Sequence, residues 1–171
     1  MIFLSIGSNL KSKWGNRFQN VKMAIDKISH EKINIKKISS FYETPSYPDK
    51  NHPKFINIVI EVEFYDDPED LLKKILLIEK RLGRVRNLKN EPRTFDIDII
   101  DFNGLILNKD NINLPHPKMH LRNFVLFPLK EICPTWMHPI LNKKVNVLIE
   151  NLTLTASKEI TRIKESDILN S

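Results

Sequence analysis

The residues from Ile56 to Phe64 place the strongest constraint on the fold of this chain. Isoleucine, valine or phenylalanine occupies every second position, and Asn57, Glu61 and Glu63 lie at alternate positions between them. A side-chain repeat of two residues is typical of a β-strand with one face in a core. We therefore predict a strand here, in a sheet that is covered on at least one side.

The segments around this strand predict a regular alternation of strands and helices. The predicted elements are a strand at 2–6, a helix from 14 to 28, a strand at 33–42, the strand at 56–64, a helix between Asp67 and Gly83, and a strand at 95–99. Each follows from the spacing of apolar residues and from turn or capping residues at its ends. This β-α-β-β-α-β order indicates the α/β (α+β) class and a ferredoxin-like sandwich. We expect an antiparallel-rich sheet with its helices on one face, which leaves the other face available for a ligand.

The rest of the chain predicts shorter elements. Prolines recur between residues 115 and 139 and leave room for a short helix at 121–126, and β-branched residues favour a strand at 145–149. The 171 residues contain no repeat and no low-complexity linker. We therefore expect a single domain over 1–171, with a C-terminal extension at 141–171 that carries no chemical motif.

Composition limits the partners and the location. The 27 lysines and arginines exceed the 21 acidic residues and give a formal charge of +6, which favours an anionic partner without choosing among nucleic acid, membrane and nucleotide. The apolar run at the N-terminus is too short for a signal peptide or a membrane span. Cys133 is the one cysteine, so no internal disulfide can form. We expect a cytoplasmic protein.

Asp96 and Asp98 are the residues whose spacing points most directly to chemistry. On a strand, carboxylates two positions apart project from one face about 6 to 7 Å apart, which suits binding of two divalent cations. The solvent-facing side of a half-exposed strand has the same pattern, so spacing alone leaves both readings open. Asp101 lies outside this alternation, and we expect it in a turn.

Basic residues flank this acidic pair. Arg84, Arg86 and Arg93 precede it, and His116 and Arg122 follow. Such donors suit a magnesium-bound polyphosphate, although an isolated arginine commonly forms a surface salt bridge instead. The sequence has four glycines and neither GxxxxGK[ST] nor GxGxxG, so side chains would have to hold a nucleotide. The remaining histidines are expected on the surface: His30, His52, His120 and His138.

Six blocks of sequence resemble a known enzyme family. They are IGSNL (6–10), YETP (42–45), FIN (55–57), GRVR (83–86), PRTFDIDII (92–100) and PHPKMHLRNFVLFPL (115–129). In this order they resemble 6-hydroxymethyl-7,8-dihydropterin pyrophosphokinases, over roughly residues 1–140, and PRxxDxDI after GRVR is highly specific. The resemblance implies a ferredoxin-like fold and the transfer of pyrophosphate from ATP to the pterin hydroxymethyl group in folate biosynthesis, with release of AMP.

The resemblance also implies roles for the polar residues. Asp96 and Asp98 would bind two magnesium ions, and it stays open whether Asp98 also accepts the hydroxyl proton or whether magnesium makes a protein base unnecessary. Arg84 and Arg93 resemble catalytic-loop arginines, whose charge suits phosphoryl transfer. The residues that resemble contacts to the co-substrate ATP are Glu79, Arg86, Ile99, His116 and Arg122.

The pterin site is implied in the same way. Phe55 and Phe124 resemble the two aromatic faces that enclose the flat ring, although plain core packing is the common role of such residues. The residues that resemble its hydrogen-bonding edge and the adjoining loop are Asn57, Thr44, Pro45, Ser46 and Tyr47. Three features depart from the usual family pattern: the loop NLKNEPR (87–93) lacks a tryptophan, Pro117 replaces a common tyrosine, and Tyr47 replaces a smaller apolar residue.

The expected partners are small molecules, ATP and the pterin, with neither nucleic acid nor membrane. We expect a monomer, and contacts with other folate-pathway enzymes stay open. An RNA-recognition domain shares the element order, but Glu61 and Glu63 would repel a phosphate backbone. A two-metal hydrolase is the second alternative, and ATP turnover without pterin would support it.

Overall fold

A computed structural model describes residues 1–47, 49–83 and 94–164. The elements in these ranges are β1 (Ile2–Ser8), α1 (Arg17–Ser29), β2 (Asn34–Ile38), β3 (Tyr42–Thr44), β4 (Phe55–Glu63), α2 (Pro68–Arg81), β5 (Asp96–Phe102), β6 (Leu107–Lys109), β7 (Ile112–Leu114), α3 (Asn123–Ile132), α4 (Val145–Glu150), α5 (Leu154–Lys158) and β8 (Thr161–Arg162). A 3₁₀ turn at Met119–Leu121 precedes α3. None of the helices in the described ranges has the length and apolar character needed to cross a bilayer.

The main sheet has the order β5-β1-β4-β3-β8, and β2 also pairs with β4. All of these pairings are antiparallel. The strand predicted at 56–64 is therefore the central strand β4, with β1 on one side and β2 and β3 on the other. The predicted ferredoxin-like α/β sandwich is confirmed. The hairpin of β6 and β7 is a separate small sheet that the sequence analysis did not predict.

The strand predicted at 33–42 is divided into β2 and β3. Ser39, between them, donates its backbone N–H to the carbonyl of Val59 at 3.0 Å. Its hydroxyl oxygen also accepts a hydrogen bond from the Val59 N–H at 3.0 Å. A side-chain oxygen thus replaces a backbone carbonyl in the ladder, and this interrupts the strand at that residue.

Capping residues determine where the two long helices begin and end. Asn16 accepts hydrogen bonds from the backbone N–H groups of Phe18 and Gln19 and forms a capping box with Gln19, so α1 begins after Trp14 and not at it. Asp67 caps α2, as predicted. Gly83 has φ +92° just after α2, which confirms the predicted left-handed residue there.

The prediction that the second face of the sheet is free was wrong for part of that face. One face packs against α1 and α2 through alternate apolar residues of the strands, including Ile6, Ile58 and Ile97. On the opposite face, Phe3, Val59 and Ile100 form a second core with residues of α3 and α4. Along this face the side chains change from apolar to polar toward one end of the strands, and a pocket lies at that polar end.

Two predictions for the C-terminal third were wrong. Residues 145–149 belong to the helix α4 and not to a strand, because Val145 and Leu148 are buried three positions apart on one helical side. Asp101 lies buried in β5 rather than in a turn. Its Oδ2 accepts a hydrogen bond from Trp136 Nε1 at 2.8 Å, and its Oδ1 accepts one from the Gly104 N–H at 3.0 Å.

The short helix predicted at 121–126 is the longer helix α3, which continues through Pro128 to Ile132. Proline lacks an N–H, so it cannot donate the usual hydrogen bond to the carbonyl four residues earlier. Val125, Leu126 and Leu129 are completely buried. The packing of this face against the sheet explains how the helix tolerates an internal proline.

His138 is buried, so the expectation of a surface position was wrong. Its Nδ1 accepts hydrogen bonds from the backbone N–H groups of Ile140 and Leu141, both at 3.2 Å. An acceptor nitrogen carries no proton, so the ring is neutral in this arrangement. Burial lowers the pKa of His138 below 6.5, and the neighbouring His120 lowers it further.

We predict that His138 makes the free energy of unfolding fall as the pH falls below about 6.5. In the unfolded chain His138 binds a proton at its ordinary pKa, whereas in the folded chain it binds one only at a lower pH. The contribution of neutral His138 to stability is therefore fully present above pH 6.5 and is lost as the pH falls toward the lower pKa of the folded state. One extra proton limits the slope to about 1.4 kcal/mol per pH unit. Urea unfolding between pH 8 and pH 5 measures this, with His138→Asn as the comparison, since asparagine supplies a non-titrating acceptor. Equal pH dependence in both proteins would contradict the prediction.

Candidate active site

A cavity of about 730 Å³ opens at the polar end of the sheet. Two groups of lining residues come from the strand ends and from α3. The acidic end consists of Asp96 and Asp98, with Arg122 beside them, and the aromatic end consists of Phe55, Asn57 and Phe124. The cavity therefore brings together residues that are far apart in the sequence. Phe55 and Phe124, for example, are 69 positions apart.

The alternation of β5 places both carboxylates in the cavity. Ile97 belongs to the core on the α1 and α2 side, whereas Asp96 and Asp98 line the cavity on the opposite side. This confirms the predicted shared face. In the register with β1, Asp96 lies opposite Gly7 and Asp98 opposite Ser5, which also line the cavity. Small residues on β1 leave space in front of the acidic pair.

Arg122 and His116 approach Asp98 from the segment around the 3₁₀ turn. Arg122 Nη1 donates to Asp98 Oδ2 at 3.3 Å, and His116 Nε2 lies 3.8 Å from the same oxygen. The Arg122 guanidinium also lies 5.4 Å from the ring centre of Phe124. A cation is thus held between the acidic and the aromatic ends of the cavity.

His116 is held in its neutral form. Burial lowers its pKa below 6.5, and Arg122 lowers it further, against the opposing effect of Asp98. Its Nδ1 accepts a hydrogen bond from the Lys118 N–H at 3.2 Å, and its Nε2 lies 3.4 Å from Arg122 Nη1, on the side of Asp98.

The acidic end fits a magnesium ion by the chemistry of its donors. Mg²⁺ prefers oxygen ligands, and it usually keeps several waters and takes phosphate oxygens alongside one or two carboxylates. Asp96 and Asp98 supply two such carboxylates. Within 1–47, 49–83 and 94–164 there is no cluster of three or more potential ligand side chains. The donor set thus suits an ion that shares its coordination with water and a nucleotide.

At the aromatic end, hydrogen bonds hold the polar side chains in place. Asn57 Nδ2 donates to Thr44 Oγ1 at 3.0 Å, and both residues are buried. Phe55 and Phe124 line the same cavity and are partly exposed to it. This combination can enclose a flat ring between aromatic faces and pair with its polar edge.

The connection between β3 and β4 adds Pro45, Ser46 and Tyr47 to the cavity wall. Tyr47 is 86% exposed and lies at the rim. Ser46 is buried, and its hydroxyl donates to the Pro53 carbonyl at 2.6 Å. Asn9 Nδ2 donates to Ser46 Oγ at 3.2 Å and to the Pro53 carbonyl at 3.0 Å, so it ties the two ends of this connection together.

Sequence reasoning missed Asn9 as a site residue, although it lies in the IGSNL block. Its turn position after β1 was the available signal, but its partners are 37 and 44 positions away. Lys118 and Asn123 also line the cavity within the PHPKMHLRNFVLFPL block. No local pattern distinguishes them from surface residues.

Two of the predicted ATP contacts face away from this cavity. Ile99 belongs to the core on the α1 and α2 side of the sheet. Glu79 is buried and accepts a hydrogen bond from the Ile97 N–H at 2.8 Å, which fixes α2 to β5. The predictions for Arg84, Arg86 and Arg93, and for the loop NLKNEPR, lie outside the described residues.

Comparisons of the sequence with known proteins identify a family. Residues 3–134 match the sequence model of the family described as 7,8-dihydro-6-hydroxymethylpterin-pyrophosphokinase (HPPK). The 2-amino-4-hydroxy-6-hydroxymethyldihydropteridine pyrophosphokinase of Aquifex aeolicus (strain VF5) is 35% identical over 83% of this chain and 86% of its own length. The Folic acid synthesis protein FOL1 of Dictyostelium discoideum is 38% identical over 89% of this chain and 22% of its own length. The chain thus spans about a fifth of the length of that larger relative.

A solved structure shows the same fold. The crystal structure of wild-type HPPK-DHPS from Plasmodium falciparum has a TM-score of 0.70 and 17% sequence identity, over 95% of this chain and 48% of that one. At this identity the likeness supports the fold alone. From the match over residues 3–134 and the 35% identity to a relative of similar length, the chain belongs to the 7,8-dihydro-6-hydroxymethylpterin-pyrophosphokinase family.

Proposed function

We propose that this chain transfers the pyrophosphoryl group of ATP to 6-hydroxymethyl-7,8-dihydropterin, a step of folate biosynthesis. The pterin hydroxymethyl oxygen forms a bond to the β-phosphorus and loses its proton to the solvent, the bond from that phosphorus to the α-phosphate oxygen breaks, and AMP leaves. The observation that carries the proposal is the cavity in which Asp96 and Asp98 lie at one end and Phe55, Asn57 and Phe124 at the other.

The aromatic end would bind the pterin. Phe55 and Phe124 offer flat apolar faces for the ring, and Asn57 offers amide hydrogen-bonding groups for its edge. Asn57 is 3% exposed and oriented by Thr44, so little freedom is lost when the ring binds. The hydroxymethyl group would then point along the cavity toward the acidic end.

The acidic end would bind the triphosphate as its magnesium complex, through Asp96 and Asp98. Magnesium, when bound, neutralises charge on the phosphate oxygens during transfer. Arg122 pairs with Asp98 in this structure, and its second guanidinium nitrogen is a further donor for phosphate. His116, whose pKa is lowered by burial, lies beside Asp98 and Arg122 without adding positive charge to the site.

The direct test is AMP formation from magnesium-ATP with and without 6-hydroxymethyl-7,8-dihydropterin. We expect AMP and the pterin diphosphate in equal amounts, and no AMP when the pterin is omitted. Consumption of ATP without pterin would instead favour the two-metal hydrolase. Salt-sensitive RNA binding with intact ATP would favour the RNA-binding alternative.

Gly7 gives a prediction about the fit of the aromatic end. A Cβ atom at this position would lie 3.1 Å from Asn57 Oδ1, so Gly7→Ala must displace the Asn57 side chain slightly, whereas Phe55 Cδ1 at 3.6 Å is in ordinary contact. Overpacking of this kind costs about 1 to 3 kcal/mol, and we expect the KM for the pterin to rise about tenfold. The KM for ATP should stay within about twofold, and steady-state kinetics measures both. Gly104→Ala strains the backbone, because Gly104 has φ +72°, but no atom lies within 4 Å of its added Cβ. It therefore controls for a loss of stability outside the cavity, and its KM for the pterin should stay near that of the wild type.

We also propose a cytoplasmic location. Cys133 is the one cysteine of the chain, and it is buried and forms no disulfide, which suits a reducing compartment. The monomeric state and contacts with other enzymes of folate synthesis stay predictions.

A further inference from the structure

A C-terminal wall, residues 153–159, forms one side of the cavity. Thr153, Thr155, Ala156 and Glu159 all line it. The match to the family model ends at residue 134, before this wall begins. The sequence analysis also found no chemical motif in this part of the chain.

Asn123 attaches the C-terminal wall to the start of α3. Its Nδ2 donates to the carbonyl of Ala156 at 2.6 Å and lies 3.5 Å from the carbonyl of Glu159. Its Oδ1 accepts a hydrogen bond from the Phe124 N–H at 2.6 Å. The residue that holds the wall is thus next to one of the two aromatic side chains of the cavity.

The strand β8, which follows the wall, attaches it to the sheet. β8 pairs with β3, and the Ile163 N–H donates to the Phe41 carbonyl at 2.8 Å. Arg162 Nη2 lies 3.0 Å from Glu131 Oε1 on α3. The middle and the C-terminal end of the wall are therefore fixed to elements that carry the aromatic end of the cavity.

Glu159 links the C-terminal wall to the connection between β3 and β4. Its Oε1 lies 2.5 Å from Lys50 Nζ, across 109 positions of sequence. Both side chains line the cavity. The same connection carries Ser46 and Tyr47, so the ion pair restrains a segment of the predicted pterin site.

We infer that Glu159 is a positioning residue that acts through Lys50 to hold the connection between β3 and β4 against the C-terminal wall. It would hold the loop at the aromatic end of the cavity in place without touching the reacting atoms. This inference rests on the proposed function. The side chains of Lys50 and Glu159 are 59% and 34% exposed, so water and salt screen the pair and the effect on binding is modest.

The test measures dissociation constants for 6-hydroxymethyl-7,8-dihydropterin and, separately, for magnesium-ATP. Glu159→Gln and Lys50→Gln should each weaken pterin binding about threefold at low salt, with less effect at high salt, and leave ATP binding unchanged. The exchanged pair Lys50→Glu/Glu159→Lys should restore most of the lost affinity. Restoration would show that the two charges act through each other, because a direct contact of either side chain with the pterin would not survive the exchange. A general loss of structure would weaken ATP binding together with pterin binding.

The matched control is the ion pair of Lys36 and Glu63, which has similar exposure and lies at the opposite end of β4 from the cavity. Its Gln variants should bind the pterin as the wild type does. Wild-type pterin affinity in both Lys50→Gln and Glu159→Gln, or an exchanged pair as weak as the single variants, would overturn the positioning role. A wild-type protein that forms no AMP would instead overturn the proposed function, whatever the variants bind.

Discussion

The Asp98→Asn variant should lose about 1,000-fold or more of its pterin-dependent AMP formation while it remains folded. The substitution would remove a magnesium ligand, and a bound metal ion stabilises the charge on the phosphate oxygens in the transition state by several kcal/mol. Each 1.36 kcal/mol corresponds to a factor of ten in rate. It also leaves Arg122, 3.3 Å away, without its anionic partner. Single-turnover measurements of AMP formation, together with a thermal melt, would check both parts of this prediction.

Asp101→Asn is an instructive control because Asp101 lies three positions further along the same strand. Its carboxylate is buried and accepts hydrogen bonds from Trp136 and from the Gly104 backbone. We expect it to lose about 1 to 3 kcal/mol of stability, because an amide cannot satisfy both donors equally. Activity per folded molecule should stay near that of the wild type. A loss of activity in Asp101→Asn as large as in Asp98→Asn would argue against a special role for the acidic pair.

The central sheet could be predicted because the pattern of side chains that specifies each strand lies within that strand. In β4 and β5 the alternate side chains differ in polarity, and this difference shows which side of each strand faces a core. The pairing of Asp96 and Asp98 on one face follows from the same period of two. The position of the acidic pair was therefore predictable from a window of three residues.

The C-terminal third could not be predicted because its structure depends on distant partners. The run from Val145 to Ile149 has too few residues to separate a strand from a helix by pattern. Its helical form places Val145 and Leu148 in a core with Phe3 and Ile100. That core also covers part of the sheet face that the sequence analysis assigned to a ligand.

The burial of polar residues was the other failure of sequence reasoning. Asp101, His138 and Asn9 all look like ordinary turn or surface residues in their local sequence. Asp101 and Asn9 have hydrogen-bond partners far away along the chain, such as Trp136, which is 35 positions from Asp101. The ring of His138 instead accepts hydrogen bonds from nearby backbone groups and is buried by the packing around it. Patterns of polarity describe which side of an element is buried, but they do not identify a buried hydrogen bond.

Asn57→Ala is the variant expected to separate recognition of the pterin from binding of ATP. Asn57 is buried at the aromatic end, and its Nδ2 donates to Thr44 Oγ1 at 3.0 Å. Its loss would leave the Thr44 hydroxyl and the polar edge of the ring without a partner, at about 1 to 3 kcal/mol for each unsatisfied group. We therefore expect the KM for the pterin to rise about 100-fold, whereas the dissociation constant for magnesium-ATP changes less than about twofold.

Asn34→Ala is the control for loss of an asparagine side chain away from the cavity, since the exposed Asn34 lies on β2 and donates to Glu63 at the far end of β4. Its KM values for both substrates should equal those of the wild type. The comparison matters because Asn57 forms part of the buried face of the central strand, where any truncation reduces stability. A general loss of stability would weaken ATP binding and pterin binding together. A pterin KM that changes less than threefold in a folded Asn57→Ala protein would contradict the assignment of the aromatic end to the pterin.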